Sequence, residues 1–302
     1  MSRSSGPATN GFDGKVVIEV RCNEYTMRDH NRHVPWSPDE IAADAAACRE
    51  AGASVVHFHA RDPETGAMRG DTETYAAVIR AIRSQSDVLV NPTLGASTIP
   101  DPLQRVAHIP ELAKDPATRP ELAPVDLGSF NVDPFDWDTL QFRAEEIVYR
   151  TSVAGLRHEI DAITAAGVGV QSVLWTVGSA RCLGAFLAMG VLPSPAFAEV
   201  TLSDVMLSTH PGTVRGMQAL VEFLPPGVHW SVSCFGGNLL GLVTAAVEAG
   251  GHVSIGLGDY PYRELGEPTN AEVVAEVVRM VRAMGREPAT PDEVRAVLGV
   301  GA

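Results

Sequence analysis

Val55-Val56-His57-Phe58-His59-Ala60-Arg61-Asp62 is a β-branched run that ends in two histidines, an arginine and an aspartate. Side chains alternate faces along a strand, so His57 and His59 must point the same way and can converge on one ion or one substrate oxygen. Imidazole is the commonest ligand for zinc and its neighbours, and a strand end holds it more rigidly than a loop would. Two ligands are too few to make a metal site, and a pair of buried histidines satisfied by backbone groups is the competing reading. The rest of the chain decides between them.

Outward from this run, short β-rich segments alternate with longer segments of helical period, the pattern of parallel strands joined by crossover helices. Strands are predicted near residues 16–21, 54–59, 87–91, 125–128, 147–151, 168–175, 228–234 and 252–257. Ser37-Pro38-Asp39-Glu40 is a capped helix start with proline at the first helical position and acids in the first turn, and the segment 41–50 ends at Ala51-Gly52. Further helices are predicted over 72–83, 153–166, 178–189, 213–223, 238–249 and 269–284, the last ended by Gly285. Eight strand-helix units in a chain of 302 residues match the size of a TIM (β/α)8 barrel, whereas an open doubly wound sheet usually uses fewer. The predicted fold is therefore α/β, a single TIM-barrel domain over residues 15–302, with residues 1–14, rich in Ser, Gly, Asn and Pro, as a frayed tail. The Pro-rich segment 99–124 follows a strand end, where barrels place their active-site loops, and reads as a lid or a subunit contact.

A net charge of -14 disfavours nucleic-acid and anionic-membrane partners, which select for clustered Lys and Arg. Cys22, Cys48, Cys182 and Cys234 are widely spaced and form no CxxC pair, as expected of reduced thiols in a cytoplasmic protein. No apolar stretch approaches the roughly 18 to 20 residues that span a bilayer.

In a barrel the C-terminal strand ends share one face, so polar groups at those positions are the candidates for chemistry. They are Glu24 after the first strand, His57, His59, Arg61 and Asp62 after the second, Asn91 and Thr93 after the third, Ser129 and Asn131 after the fourth, and Asp259 after the eighth. Strands one, two and eight neighbour one another in a closed barrel, which brings Glu24, the histidine pair and Asp259 together. Asp259 has an alternative reading as a surface turn acid in Gly256-Leu257-Gly258-Asp259-Tyr260, and His210 reads as a loop histidine. Ile255-Gly256-Leu257-Gly258 is a weak phosphate-loop lookalike where barrels often bind the phosphates of a nucleotide. The only lysines are Lys15, at the start of the first strand, and Lys114, in the Pro-rich loop. Neither can form a Schiff base at the active end, so a metal Lewis acid is the remaining way to stabilise an enolate.

These motifs resemble the β-keto acid cleavage enzymes. The resemblance spans nearly the whole chain and rests on Pro35-Trp36-Ser37-Pro38-Asp39-Glu40-Ile41, the histidine block from Ala51 to Asp62, Val125-Asp126-Leu127-Gly128-Ser129-Phe130-Asn131, Ala249-Gly250-Gly251-His252-Val253 and Gly285-Arg286-Glu287-Pro288-Ala289-Thr290-Pro291. It implies a TIM barrel that holds a divalent metal, usually zinc, and condenses a β-keto acid with acetyl-CoA to give acetoacetate and an acyl-CoA. It also implies metal ligation by His57 and His59, catalysis by Asp259, substrate binding by Glu24, Thr93 and Gly95, and a homo-oligomer, dimer or tetramer. The chain departs from the family pattern at the third ligand, where a glutamate is replaced by Gly258, and at Ser254, Pro92 and Pro124. Those departures leave open a metal-assisted lyase or hydrolase that does not use acetyl-CoA, and a non-catalytic metabolite-binding barrel.

Overall fold

The structure, a computed structural model, describes residues 11–95, 98, 99, 101 and 103–301. Eight parallel strands form one sheet: β1 (Ile18–Arg21), β2 (Val55–Phe58), β3 (Leu89–Pro92), β4 (Leu122–Asp126), β5 (Gly169–Leu174), β6 (Phe197–Ser203), β7 (His229–Phe235) and β8 (His252–Ile255). Their order is β3-β2-β1-β8-β7-β6-β5-β4. The two ends of this sheet meet as well, because Glu121 N–H donates to Val90 O at 3.1 Å and Val90 N–H donates to the Glu121 carboxylate at 2.9 Å. The sheet thus curls into a TIM barrel.

The helices are α1 (Pro38–Ala51), α2 (Thr72–Gln85), α3 (His108–Leu112), α4 (Val153–Ala165), α5 (Val177–Ala188), α6 (Val214–Val221), α7 (Val243–Glu248), α8 (Asn270–Ala283) and α9 (Pro291–Leu298). Ser37 and Glu40 form the capping box read from the sequence, with Pro38 in the first turn. Outward-facing Val20, Val56, Val90, Val200 and Val253 pack under the helices in one large core. Phe12, Val17, Val55, Leu89, Leu122 and Phe197 form a second, smaller one that Val294 and Leu298 of α9 close at the N-terminal end of the barrel.

Two expectations are corrected here. The segment 147–151 is not a barrel strand: Val148–Tyr149 is a two-residue strand that pairs antiparallel with Phe130–Asn131 in an excursion between β4 and α4. The barrel strand that takes its place is β6. Its outward Ala198, Val200 and Leu202 alternate with Glu199, Thr201 and Ser203, a half-apolar pattern that a hydrophobic-run criterion passes over. As for the tail, residues 1–10 lie outside the described residues, but Phe12 is not frayed. Its ring is buried and packs edge-on against His229 and His252 at centroid distances of 5.2 and 4.8 Å.

Above the apolar base, the barrel interior is polar rather than filled with branched aliphatics. Glu19 accepts from Asn91 Nδ2 at 2.7 Å, Gln171 Nε2 at 2.9 Å and Ser254 Oγ at 2.8 Å. Glu199 accepts from Ser233 Oγ at 2.6 Å and from Arg21 Nη1 at 2.9 Å. A buried carboxylate is tolerated only when its oxygens are bonded, and both of these are. This layer is the floor of the site.

Candidate metal centre

His57 lies in β2 opposite Arg21 of β1 and Asn91 of β3, and all three point into the barrel. His59 follows two residues on, and its backbone is fixed because Asn23 Oδ1 accepts from His59 N–H at 2.9 Å while Asn23 Nδ2 donates to His59 O at 3.0 Å. The two rings lie 5.5 Å apart at 75°. Their Nε2 atoms converge on one carboxylate: His57 Nε2 is 2.6 Å from Glu24 Oε1, and His59 Nε2 is 2.7 Å from Glu24 Oε2. One donor atom from each of Glu24, His57 and His59 lies within 4.8 Å of the other two, and all three residues are buried. Backbone groups do not consume the pair, so the competing reading fails at these atoms.

Glu24 reaches the histidines because of a close approach between loops. Gly258 N–H donates to Arg21 O at 3.0 Å, and Gly258 O accepts from Tyr25 N–H at 3.1 Å and Thr26 N–H at 3.2 Å. A Cβ on Gly258 would stand 2.2 Å from Glu24 N. The close approach at Gly258 therefore sets the β1 loop that carries Glu24 beside the imidazoles. Arg61, buried at 1% exposure, completes the clamp: its guanidinium donates to the main-chain carbonyls of Glu24 at 2.7 Å, Thr26 at 3.1 Å and Gly66 at 3.2 Å. Gly258→Ala is expected to push the Glu24 loop outward, costing about 1–3 kcal/mol of stability as overpacking does. Thermal unfolding would register it, and an unchanged unfolding midpoint would show that the loop approach is not a packing constraint.

Asp259 is buried and belongs to the same cluster, not to a surface turn; its Oδ2 is 2.8 Å from Arg21 Nε. Burial pushes its carboxyl up to about 7, an effect that Arg21 opposes and that Glu24 and Glu199 reinforce. Glu24 goes the other way. Burial opposes its ionisation, but Arg21, His59 and His57 outweigh burial and hold its carboxyl well below the usual carboxylate range. For His57 burial is outweighed by Glu24 and the ring titrates above its ordinary value, while for His59 burial prevails and it titrates below.

The chain matches the beta-keto acid cleavage enzyme family over residues 15–300. It belongs to that family. A 3-keto-5-aminohexanoate cleavage enzyme of Fusobacterium nucleatum subsp. nucleatum is 27% identical over 288 residues, covering 94% of this chain and 97% of that protein. A 3-dehydrocarnitine:acetyl-CoA trimethylamine transferase of Rhizobium meliloti is 30% identical over 287 residues, covering 88% of this chain and 90% of that one. Among solved structures, apo ObcA superposes with a TM-score of 0.69 at 16% identity over 89% of this chain and 66% of its own, a likeness of fold. The protein is thus a β-keto acid cleavage enzyme on a TIM barrel, as the sequence resemblance implied.

Other sequence candidates in this β-keto acid cleavage enzyme are placed as follows. Thr93 is half-buried at the rim after β3, where its N–H donates to Phe58 O at 3.1 Å, and Gly95 turns the same loop with φ 75°. Asn91 is part of the buried floor. Asp62 is turned away, accepting from Thr65 N–H at 2.9 Å, and Ser129 Oγ is spent on Thr151 O at 2.7 Å in the excursion, where Asn131 caps Asp133 N–H at 2.9 Å. Gly256 is a packing glycine, since a Cβ there would sit 2.2 Å from Arg21 O, so the phosphate-loop lookalike has a structural reason to be glycine-rich. Arg21 and Glu199 were not among the candidates. Their signature was the alternation of Ile18-Glu19-Val20-Arg21 and Ala198-Glu199-Val200-Thr201, charge and hydroxyl on one face of a strand.

Proposed function

We propose that this enzyme condenses a β-keto acid with acetyl-CoA to give acetoacetate and an acyl-CoA. Glu24, His57 and His59 would hold a divalent metal, with Asp259 as the base. The carrying observation is the convergence of two imidazole Nε2 atoms and the Glu24 carboxylate within 4.8 Å of one another, all in buried residues. Two histidines and a glutamate are a donor set that zinc favours, with an open position left for substrate, so the residues present fit the ion. Glu24 thereby moves from a substrate-binding role to the missing third ligand.

When bound, the ion would supply a Lewis acid for the keto oxygen. Asp259 accepts a proton from the methylene between the keto and carboxylate carbons, and a carboxyl that titrates near neutrality suits that task. The carbanion attacks the thioester carbonyl of acetyl-CoA, a carbon-carbon bond forms, and the CoA thiolate leaves. The thiolate then adds to the original keto carbon, the bond from that carbon to the former methylene breaks, and Asp259 returns its proton to the resulting carbanion so that acetoacetate departs, leaving the new acyl-CoA. Thr93 and Gly95, on the rim after β3, support the substrate. A transferase of Rhizobium meliloti named for acetyl-CoA supports the choice of acyl acceptor.

The test is a panel of β-keto acids with acetyl-CoA, following acyl-CoA and acetoacetate by mass. Equimolar formation of both supports the proposal. Keto-acid consumption that is indifferent to acetyl-CoA favours a metal-assisted lyase or hydrolase, and no consumption by metal-loaded protein favours a metabolite-binding barrel.

Two further features belong to this reading. The excursion after β4 carries Trp137 at 62%, Leu140 at 68% and Val148 at 44% exposure, an apolar projection of the sort that marks an interface, and it supports a homo-oligomer. Sedimentation is expected to find dimers or tetramers that Trp137→Glu with Leu140→Glu dissociates; a monomeric parent chain would end this part of the proposal. All four cysteines are free, which supports a reducing, cytoplasmic compartment, and no described helix is long and apolar enough to cross a membrane.

A further inference from the structure

Arg21 bridges three acids from three different parts of the barrel. Its Nη2 bonds Glu24 Oε1 and its Nη1 bonds Glu199 Oε2 at 2.9 Å, while its Nε lies 2.8 Å from Asp259 Oδ2 as a charge contact without hydrogen-bond alignment. Each nitrogen of the guanidinium thus lies beside a separate carboxylate, in a residue only 8% exposed that stands on the rigid end of β1. Below it, Glu199 is itself pinned by Ser233 Oγ at 2.6 Å.

We propose that Arg21 is a positioning residue that fixes the metal-facing carboxylate of Glu24 and the base Asp259 relative to each other, with Glu199 as its anchor. This rests on the function proposed above. The planar fork of a guanidinium presents donors in fixed directions and can hydrogen-bond Glu24 and Glu199 at once while its charge faces Asp259, whereas an ammonium is a point charge with no such fork. Glu24 shares this partner with the imidazoles: its two oxygens face His57 and His59, and the guanidinium ties Oε1, the oxygen nearer His57, back to β1 and the floor. Outer partners of this sort orient ligands, and their loss characteristically weakens metal binding and turnover together.

The experiment compares wild type with Arg21→Lys, Arg21→Met and Glu199→Gln, reading the zinc dissociation constant by competition with a chromophoric chelator, then kcat and KM separately, with thermal unfolding as a check on folding. For Arg21→Lys, which keeps the charge and loses the fork, zinc binding is expected to weaken and kcat to fall, each by about 10–100-fold, with KM changed less. Arg21→Met is expected to be at least as impaired. Glu199→Gln, which keeps the shape and the acceptor for Ser233, covers the case in which the Arg21 variants do not fold, and is expected to shift zinc affinity and kcat in the same direction. Variants that unfold at lower temperature yet bind zinc and turn over like wild type would overturn the proposal, because Arg21 would then be structural only. A wild type that takes up no zinc would instead remove the metal reading itself, and this inference with it.

Discussion

His57→Ala is expected to yield a folded barrel that retains almost no zinc and whose kcat with any β-keto acid falls on the order of 10³-fold, or about 4 kcal/mol of transition-state stabilisation. The reason is the donor count. Once His57 is gone, Glu24 and His59 remain, and two protein ligands do not hold zinc in a closed-in catalytic site. Folding survives because Glu24 keeps Arg21 and His59 as partners and Arg61 still ties the loop that carries it. Metal analysis of the purified variant alongside its kinetics checks both halves. A variant with full metal content and full activity would place the chemistry elsewhere in the barrel.

Asp259→Asn is the complementary change. The amide keeps the bulk and cannot accept the methylene proton, so zinc content is expected to persist while kcat drops by about 10²–10⁴-fold. The pH dependence carries the sign. Burial raises the Asp259 carboxyl to about 7, so with Asp259 as the proposed base kcat/KM is expected to decline by about tenfold per pH unit as the pH falls below that value. The asparagine variant should lack that limb. Glu24, held ionised by Arg21 and the two histidines, does not titrate in the same window. One environment thus pushes two neighbouring carboxyls in opposite directions. An acid limb that persists unchanged in Asp259→Asn would assign the titration, and the base, to another group.

The barrel was legible because its repeat is local: a β-branched run, a capped amphipathic helix and the next run. It failed at two places for one reason. The run Ile147-Val148-Tyr149 has the composition of a barrel strand, but it lies on an excursion and only two of its residues pair. Phe197–Ser203 looks too polar for a core strand, because its inward side chains build the charged floor instead of an aliphatic layer. Local composition does not say which face a strand turns to a polar interior. The histidine pair was legible for the opposite reason, since period-two alternation sets the direction of both rings. Strand adjacency also placed Glu24 beside the histidines, but which role it takes was not legible along the chain. That depends on a contact in space, where Gly258 allows two loops more than 230 residues apart in sequence to touch backbone to backbone. The place of Arg21 likewise depends on acids from the loop after β1, from β6 and from the loop after β8 meeting in space.

The most direct test of the metal centre is an anomalous-scattering map at the zinc absorption edge from crystals of protein purified without chelators. A single strong peak about 2.0–2.2 Å from His57 Nε2, His59 Nε2 and a Glu24 carboxylate oxygen is the expected result. A map with no peak at these three atoms, from crystals of zinc-equilibrated protein that turns over β-keto acids, would contradict it.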